Sequence, residues 1–333
     1  MGSEVSTDRR EEAGRIEHRR PFRGYSRYLR EKYGCRVYRV AVDGGFSCPN
    51  RGADRRMPGC TYCDERGARA PYLEGGTGDA GAPGLAAPAD IERQVRLGVR
   101  FMRRRYGAER FLLYFQAFTG TNAPPGVLRR LYDRALALAP FDELIVSTRP
   151  DCVSEDVAAL LAGYRRADRD VWVELGLQSA CDATLRRIRR GHTAEEFEAA
   201  YTRLKRRPLK VAVHLIFGLP GESREDILRT VRTVAGLRPD GVKIHNLHVP
   251  VGTQMAEEYL RGELTVPSGP RHLDYTVSAL EMLPADTVVM RLTCDTPPGR
   301  LAAPRGFWEK SVFYSRVEAE MRARATWQGR LFG

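Results

Sequence analysis

The strongest constraint on this chain is a rhythm that begins at residue 36. Short β-branched or aromatic runs recur: "RVYRVAV" (36–42), "FLLYFQA" (111–117), "ELIVS" (143–147), "VWVELGL" (171–177), "LKVAVHLIF" (209–217) and "GVKIHNLHV" (241–249). Helical periodicity lies between and after them, at 89–106, 126–139, 154–166, 182–206, 223–236 and 252–261. A parallel crossover needs a dozen or more residues, so this alternation predicts βαβ units and a parallel sheet. Two helix starts are marked. Thr193-Ala-Glu-Glu196 fits a capping box, and Ser223 sits just before an apolar-periodic run. Six such units suit a partial barrel or an open doubly wound sheet. No G-x-G-x-x-G follows the first strand and no G-x-x-x-x-G-K-[ST] occurs, so dinucleotide and P-loop chemistry lose their main support.

The flanks read differently. Residues 1–34 form a basic, partly helical N-terminal extension, 35–250 the barrel, and 251–333 a C-terminal extension packing on it. After residue 262 the pattern is less regular, with one more strand at "TVVMRL" (287–292) and a last helix at 307–325. The stretch 75–90 is rich in Gly, Ala and Pro and reads as a surface loop. No apolar run is long enough to span a membrane, and the polar start lacks a signal peptide's apolar core, so the expected compartment is the cytoplasm.

Chemistry concentrates in Gly45 to Cys63, "GFSCPNRGADRRMPGCTYC", directly after the first strand. The spacing is C-x11-C-x2-C, through Cys48, Cys60 and Cys63. Parallel β/α folds place their chemistry at the carboxyl ends of strands, so a ligand loop there is well sited. Two thiolates two residues apart can grip one metal or two irons of a cluster, and a distant third closes the set. Three protein ligands leave one coordination position open. A structural zinc wants four, completed by Cys35 or a histidine, and spacing alone leaves both readings standing. The scattered Cys35, Cys152, Cys181 and Cys294 read as small buried groups.

The motifs "VAVDGGFSCPNRG", "GCTYC", "YFQAFTGTNAP", "STRPDCV", "VELGLQSACDATLRRIRRGHT", "HLIFGLPGES", "KIHNLHVPVGTQMAEEY" and "RLTCDTPP" occur in this order. Together, over about residues 24–310, the chain resembles the radical SAM enzymes, and within them the YhcC-type proteins close to the Elongator catalytic-subunit branch. Most radical SAM enzymes use C-x3-C-x2-C, and the widened first spacing points to those branches. The resemblance implies an α/β fold, a partial (β/α)6 radical SAM barrel with N-terminal and C-terminal extensions. It implies a [4Fe–4S] cluster on Cys48, Cys60 and Cys63, with S-adenosylmethionine on the open iron. Reductive cleavage would give a 5′-deoxyadenosyl radical that abstracts hydrogen from an unreactive C–H bond. The partner for that reduction is a one-electron donor such as flavodoxin or ferredoxin.

By the same resemblance Tyr62 lies near the adenine, Gln116 contacts the methionine part, and Glu174 and Gln178 approach the ribose or carboxylate. Gly218 and Gly221 in "FGLPGES" would let backbone approach the adenine closely. Residues two apart on a strand share a face. Glu174, Gly176 and Gln178 are therefore expected to point together, as are Lys243 and His245. Arg149 and Asp151 either bind substrate or brace the turn at Pro150, His192 and Cys294 are expected to be structural, and His245 and His248 are acid–base candidates.

The net charge of +12 is carried almost entirely by arginine, with only five lysines among the 54 basic residues. It invites a polyanion, and with the Elongator-like resemblance it makes tRNA, modified at a wobble uridine, the expected substrate. The alternatives are a small metabolite or peptide, or a non-catalytic, zinc-stabilised RNA-binding protein.

Overall fold

The computed structural model describes residues 21–52, 54–64, 70–73, 87–294, 296 and 298–333. The first part of the expected N-terminal extension and most of the 75–90 loop lie outside them. The strands predicted from periodicity form in order: β1 (Val37–Val42), β2 (Arg110–Phe115), β3 (Phe141–Thr148), β4 (Asp170–Gln178), β5 (Lys210–Phe217) and β6 (Gly241–Asn246). All pair in parallel with their chain neighbours, and β8 (Val288–Arg291) joins beyond β6 as the seventh strand. A doubly wound sheet reverses its strand order at a switch point; this one never does. The order therefore decides for the partial barrel, with β1 and β8 as its edge strands.

Burial explains why the strands read as apolar runs rather than clean alternations. β4 is buried over seven consecutive residues, Val171–Leu177, because crossover helices cover one face and the lumen encloses the other. The covering helices include Pro88–Tyr106, Pro125–Leu136, Glu155–Ala162, Ala194–Lys205 and Arg224–Leu237. Both predicted helix starts are present as reciprocal caps, Thr193 with Glu196 and Ser223 with Asp226.

Three elements depart from the sequence reading. The single helix expected over 182–206 is two, Asp182–Arg187 and Ala194–Lys205. Arg189 and Gly191 between them take left-handed φ values of 51° and 76°, which ends the first helix before Thr193 caps the second. The strand expected over 241–249 stops at Asn246, and β7 (Val249–Pro250) leaves the sheet to pair antiparallel with β9 (Leu301–Ala303). A helix at Gly269–Met282 was not expected at all. Its buried face carries His272, Thr276 and Ser278, which mute the apolar period.

The short helix Tyr25–Tyr33 closes the amino end of the barrel. Its Tyr28 and Leu29 are buried with Leu112, Ile145, Trp172, Ala212 and Val288. Full burial of such a leucine stabilises by about 1.5–3 kcal/mol. The segment entering it also bridges β8, where Val289 N donates to Arg23 O at 2.8 Å. The carboxyl ends of the strands are left to the loops.

Candidate active site at the carboxyl ends of the strands

The loop after β1 folds around two arginines that lie within the eleven-residue gap. Arg51 is buried and donates to four carbonyls: Arg55 (2.8 Å), Met57 (2.9 Å), Cys63 (3.2 Å) and Asp64 (2.6 Å). Arg55 grips both carboxylate oxygens of Asp43 at 2.9 and 2.8 Å and stacks 3.8 Å from the Phe118 ring centre. Gly59 is where this packing admits no side chain, since a Cβ there would fall 2.9 Å from Arg51 Nε. The widened cysteine spacing thus encloses a self-supporting scaffold.

Cys60 and Cys63 close a tight turn, with Cys63 N donating to Cys60 O at 2.9 Å. Neighbouring elements stitch the turn in place: Thr61 N donates to Ile188 O and Met255 N to Thr61 O, both at 3.1 Å. Asn50 Nδ2 donates to Cys60 Sγ (3.2 Å) and also to Arg189 O (2.7 Å) and Arg190 O (3.1 Å). Two guanidiniums face the same sulfur. Arg190 Nη1 is 3.8 Å from Cys60 Sγ while its Nη2 donates to Gly176 O at 2.7 Å. Arg149 Nη1 is 4.0 Å away, and Arg149 also holds Asp151 through two 2.9 Å bonds. The Arg149–Asp151 pair therefore forms as a brace, and it brings its cation to the cysteines as well.

A hydrogen bond from Cys63 pulls the Cys60 pKa well down; burial opposes this, and Arg190 and Arg149 reinforce it. The same bond, with burial, pushes Cys63 up. Cys48, after β1, acts electrostatically on Arg149, so all three thiols share one electropositive neighbourhood. Among the described residues no three His, Cys, Asp or Glu side chains converge on a point that one metal ion could occupy. A cluster with several irons takes each thiolate on a different iron, so this donor set fits a cluster better than mononuclear zinc. The zinc set with Cys35 does not form. Cys35 precedes β1 and Cys48 follows it, and six strand residues span about 20 Å.

The other residues expected at the site lie on several different strands and loops. Gln116 follows β2, with its N donating to Val42 O at 3.3 Å. Gln178 ends β4 with φ 77°, at a register shift where Gly176 pairs His214 and Gln178 pairs Leu215. The bulge does not separate Gln178 from Gly176. A Cβ on Gly176 would meet Gln178 Nε2 at 2.9 Å and Arg190 Nη2 at 2.5 Å. Tyr62 is half-buried against a group including Leu185, Ile188, Leu219 and Met255, and burial raises its pKa well above the usual value. Gly218, at φ 88°, is held by packing, because a Cβ would strike Pro267 Cγ at 2.1 Å. Gly221 has φ 84°. His192 lies between two carbonyls, with Nδ1 3.0 Å from Thr193 O and Nε2 3.2 Å from Gly176 O.

Glu174 lies deeper, in the lumen, with no exposed surface. Its Oε1 accepts from Arg39 at 2.8 Å, and its Oε2 meets Tyr114 (2.5 Å), His214 Nε2 (3.1 Å) and the Lys243 ammonium. Burial works to raise its pKa, but the Lys243 and Arg39 cations overcome it and hold the carboxyl well below the usual range. Burial pulls Lys243 down in turn, and the Glu174 carboxylate opposes that fall. Burial, then Lys243, lowers His214 to about 4. Its ring centre is 5.5 Å from that of His245.

Beyond β6, His248 Nδ1 lies 2.8 Å from Cys294 Sγ, and Asn246 fixes Cys294 through its backbone N (3.0 Å). All four scattered cysteines are only half-buried, short of the buried groups expected. Sequence reasoning missed Asn50, Arg51, Arg39 and Arg190. Arg39 carried a signal, as a lone cation inside an apolar strand. Arg190 carried none, being one of several arginines in "RRIRRGHT".

A never-reversing parallel half-barrel with a three-cysteine loop at its carboxyl ends defines the class. Residues 48–234 match the Radical SAM superfamily and 239–323 the Radical_SAM C-terminal domain, and the chain belongs to the radical SAM superfamily. It is a YhcC-type member. It is 36% identical over 299 residues to Protein YhcC of Escherichia coli K12, covering 88% of this chain and 89% of that one. A tRNA uridine(34) acetyltransferase of Methanocaldococcus infernus is 32% identical over 159 residues, 46% of this chain and 29% of that protein. The structure of archaeal M. infernus Elp3 has a similar fold, with TM-score 0.64 and 22% identity, over 73% of this chain and 62% of that one. This protein is thus a radical SAM enzyme that uses a [4Fe–4S] cluster and S-adenosylmethionine.

Proposed function

We propose that Cys48, Cys60 and Cys63 hold the cluster and that the substrate is tRNA, modified at a wobble uridine. The observation that carries the site is Cys60 itself, a buried thiol hydrogen-bonded by Asn50 and flanked by Arg149 and Arg190 at the carboxyl ends of the strands. When bound, the cluster and S-adenosylmethionine supply a one-electron cleavage whose 5′-deoxyadenosyl product abstracts hydrogen. The chain's own residues prepare the place. Arg149 and Arg190 favour thiolates, Tyr62 offers a half-buried ring beside the cysteines, and Gln116 and Gln178 bring polar side chains to the ends of β2 and β4, on either side of β3. Glu174, fully engaged by four partners, orients Arg39, Tyr114, His214 and Lys243 rather than reaching out, and so acts on the cofactor's surroundings through them. Gly218 keeps the backbone near Pro267 free of a side chain.

Residues 35–250 are read as the catalytic barrel, 251–333 as an extension that lends it β8, and 1–34 as an extension whose helix seals the amino end. A flavodoxin or ferredoxin would deliver the electron. The tRNA reading draws on the +12 charge and on the relative that acts on tRNA uridine 34. A recessed lumen suits an unpaired anticodon base splayed out of its stack.

The test is anaerobic reconstitution with iron and sulfide, then dithionite and S-adenosylmethionine. The native protein should form 5′-deoxyadenosine, and a Cys60→Ala, Cys63→Ala double variant should form none. In parallel, electrophoretic shifts with bulk tRNA should weaken linearly with log salt. Equal product from the double variant overturns the ligand assignment, and no shift even at low salt overturns tRNA.

A further inference from the structure

Among the described residues, Glu174 is the carboxylate on which the cations of the middle of the lumen converge. Arg39, Lys243 and Arg291 reach the lumen from β1, β6 and β8, and Glu174 is engaged by the first two. Arg291 is different. The β6–β8 register skips Met290, pairing Val242 with Val289 and then Lys243 with Arg291. Such a bulge re-aims a side chain, and here it sets Arg291 beside Lys243. From there its charge pushes down the proton affinities of Lys243, His214 and His245. Arg291 is half-buried, and among the described residues its side chain has no hydrogen bond or ion pair.

Two residues beyond Lys243 towards the mouth is His245. Its Nε2 is buried and, among the described residues, has no hydrogen-bond partner. A buried ring nitrogen without a partner forfeits hydration, and a half-buried guanidinium without a counter-ion is free to take an anion. Both groups belong to one lumen, close enough for the Arg291 charge to act on the His245 ring, and each offers N–H donors that no described residue takes up.

We propose that Arg291 and His245 form a subsite for an oxyanion of the substrate, a carboxylate or phosphate, that enters the barrel lumen. The assignment rests on the reading of the lumen as the place of reaction. Arg291 supplies the charge and a planar pair of N–H donors that suits either group. Nε2 of His245, protonated in the corresponding neutral tautomer, supplies one further hydrogen bond. Lys243 and Arg39 stay on Glu174, so the carboxylate does not compete for Arg291.

The experiment needs neither cluster turnover nor the true substrate. Thermal unfolding of the full chain, with and without its reconstituted cluster, is titrated with inorganic phosphate, with acetate, and with chloride as the control. The wild type should show a saturable rise in Tm with phosphate or acetate and none with chloride; whichever acts at lower concentration names the group. Arg291→Met should weaken that response at least tenfold while its Tm without anion holds or rises, since an uncompensated charge has been removed. A merely structural arginine would instead lower Tm and leave the anion response intact, and that result overturns the proposal. So does the absence of any saturable response in the wild type. Should Arg291→Met fail to fold, His245→Phe decides on the same criterion, a loss of at least threefold in anion affinity. Displacement of phosphate by methionine at equal concentration would give the site to the cofactor and overturn its assignment to the substrate. The radical reading is judged separately by 5′-deoxyadenosine, so either can fail alone.

Discussion

The two ends of the barrel both bury charge, and they balance it in opposite ways. At the amino end Lys32 Nζ meets Glu143 and Asp170 at 2.6 Å each, and Lys210 Nζ meets Asp170 at 2.7 Å and the Tyr28 hydroxyl at 3.0 Å. Two acids answer two lysines, beside the helix Tyr25–Tyr33. At the carboxyl end Arg149 and Arg190 face sulfur, and Asp151 on Arg149 is the acid beside them. Balance achieved within the chain makes a lid that holds the fold. Balance left open makes a place for something the chain does not contain.

Substitution at the amino end should separate the two roles most widely. Replacing both Lys32 and Lys210 by methionine strands two acids, and the double variant should lose about 3–5 kcal/mol in chemical unfolding. Its 5′-deoxyadenosine yield per folded molecule should stay within about twofold of wild type, since this end touches no chemistry. A loss of yield without a loss of stability would break the contrast.

Acid should sharpen it next. Burial holds His192 and His214 at about 4 against the ordinary 6.5, with Arg190 and Lys243 adding to the effect. Between those values the unfolded chain binds more protons than the folded one, so stability falls as pH drops from 6.5 towards 4. Each histidine contributes on the order of 3 kcal/mol to that fall. Asp170 behaves otherwise. Burial works to raise it, but its bonds to Lys210 and Lys32 hold it below 3.8, so its contribution is lost only at lower pH. Hydrogen exchange at pH 5 should therefore show the carboxyl half loosening while the amino end stays protected. Simultaneous loosening of both ends would contradict the assignment.

The smallest effect belongs to the turn beside Arg190. Thr193→Ala removes the cap that starts Ala194–Lys205 and should cost about 1 kcal/mol. Product formation should fall only if the displaced turn carries Arg190 away from Cys60, which the 5′-deoxyadenosine assay reads directly.

The strands were legible because a sheet covered on both faces needs runs of apolar residues, and "VWVELGL" is such a run. The helix Gly269–Met282 was not, because His272, Thr276 and Ser278 occupy its buried face and find partners there, His272 on Leu292 O at 2.8 Å and Thr276 on His272 O at 2.7 Å. Periodicity reports hydrophobicity, and satisfied polar groups are invisible to it. The site follows the same division. Cys60 and Cys63 could be read as a candidate ligand pair from two residues of spacing, since such pairs obey local geometry. Gln178 keeps company with Gly176 despite a bulge that simple alternation does not foresee. Arg190 and Arg291 matter through neighbours far along the chain, and no local pattern marks one arginine among so many.

Arg51 has a consequence for how such centres are recognised. By fastening four carbonyls of its own loop, it fixes where Cys63 stands whatever the contour length between the thiols. Met57, 53% exposed at the loop's tip, marks a point where residues could be gained or lost over evolutionary time while the sulfurs stayed where they are. Cysteine spacing is then a poor address for this centre, and searches for its relatives would do better to look for a buried arginine inside the gap.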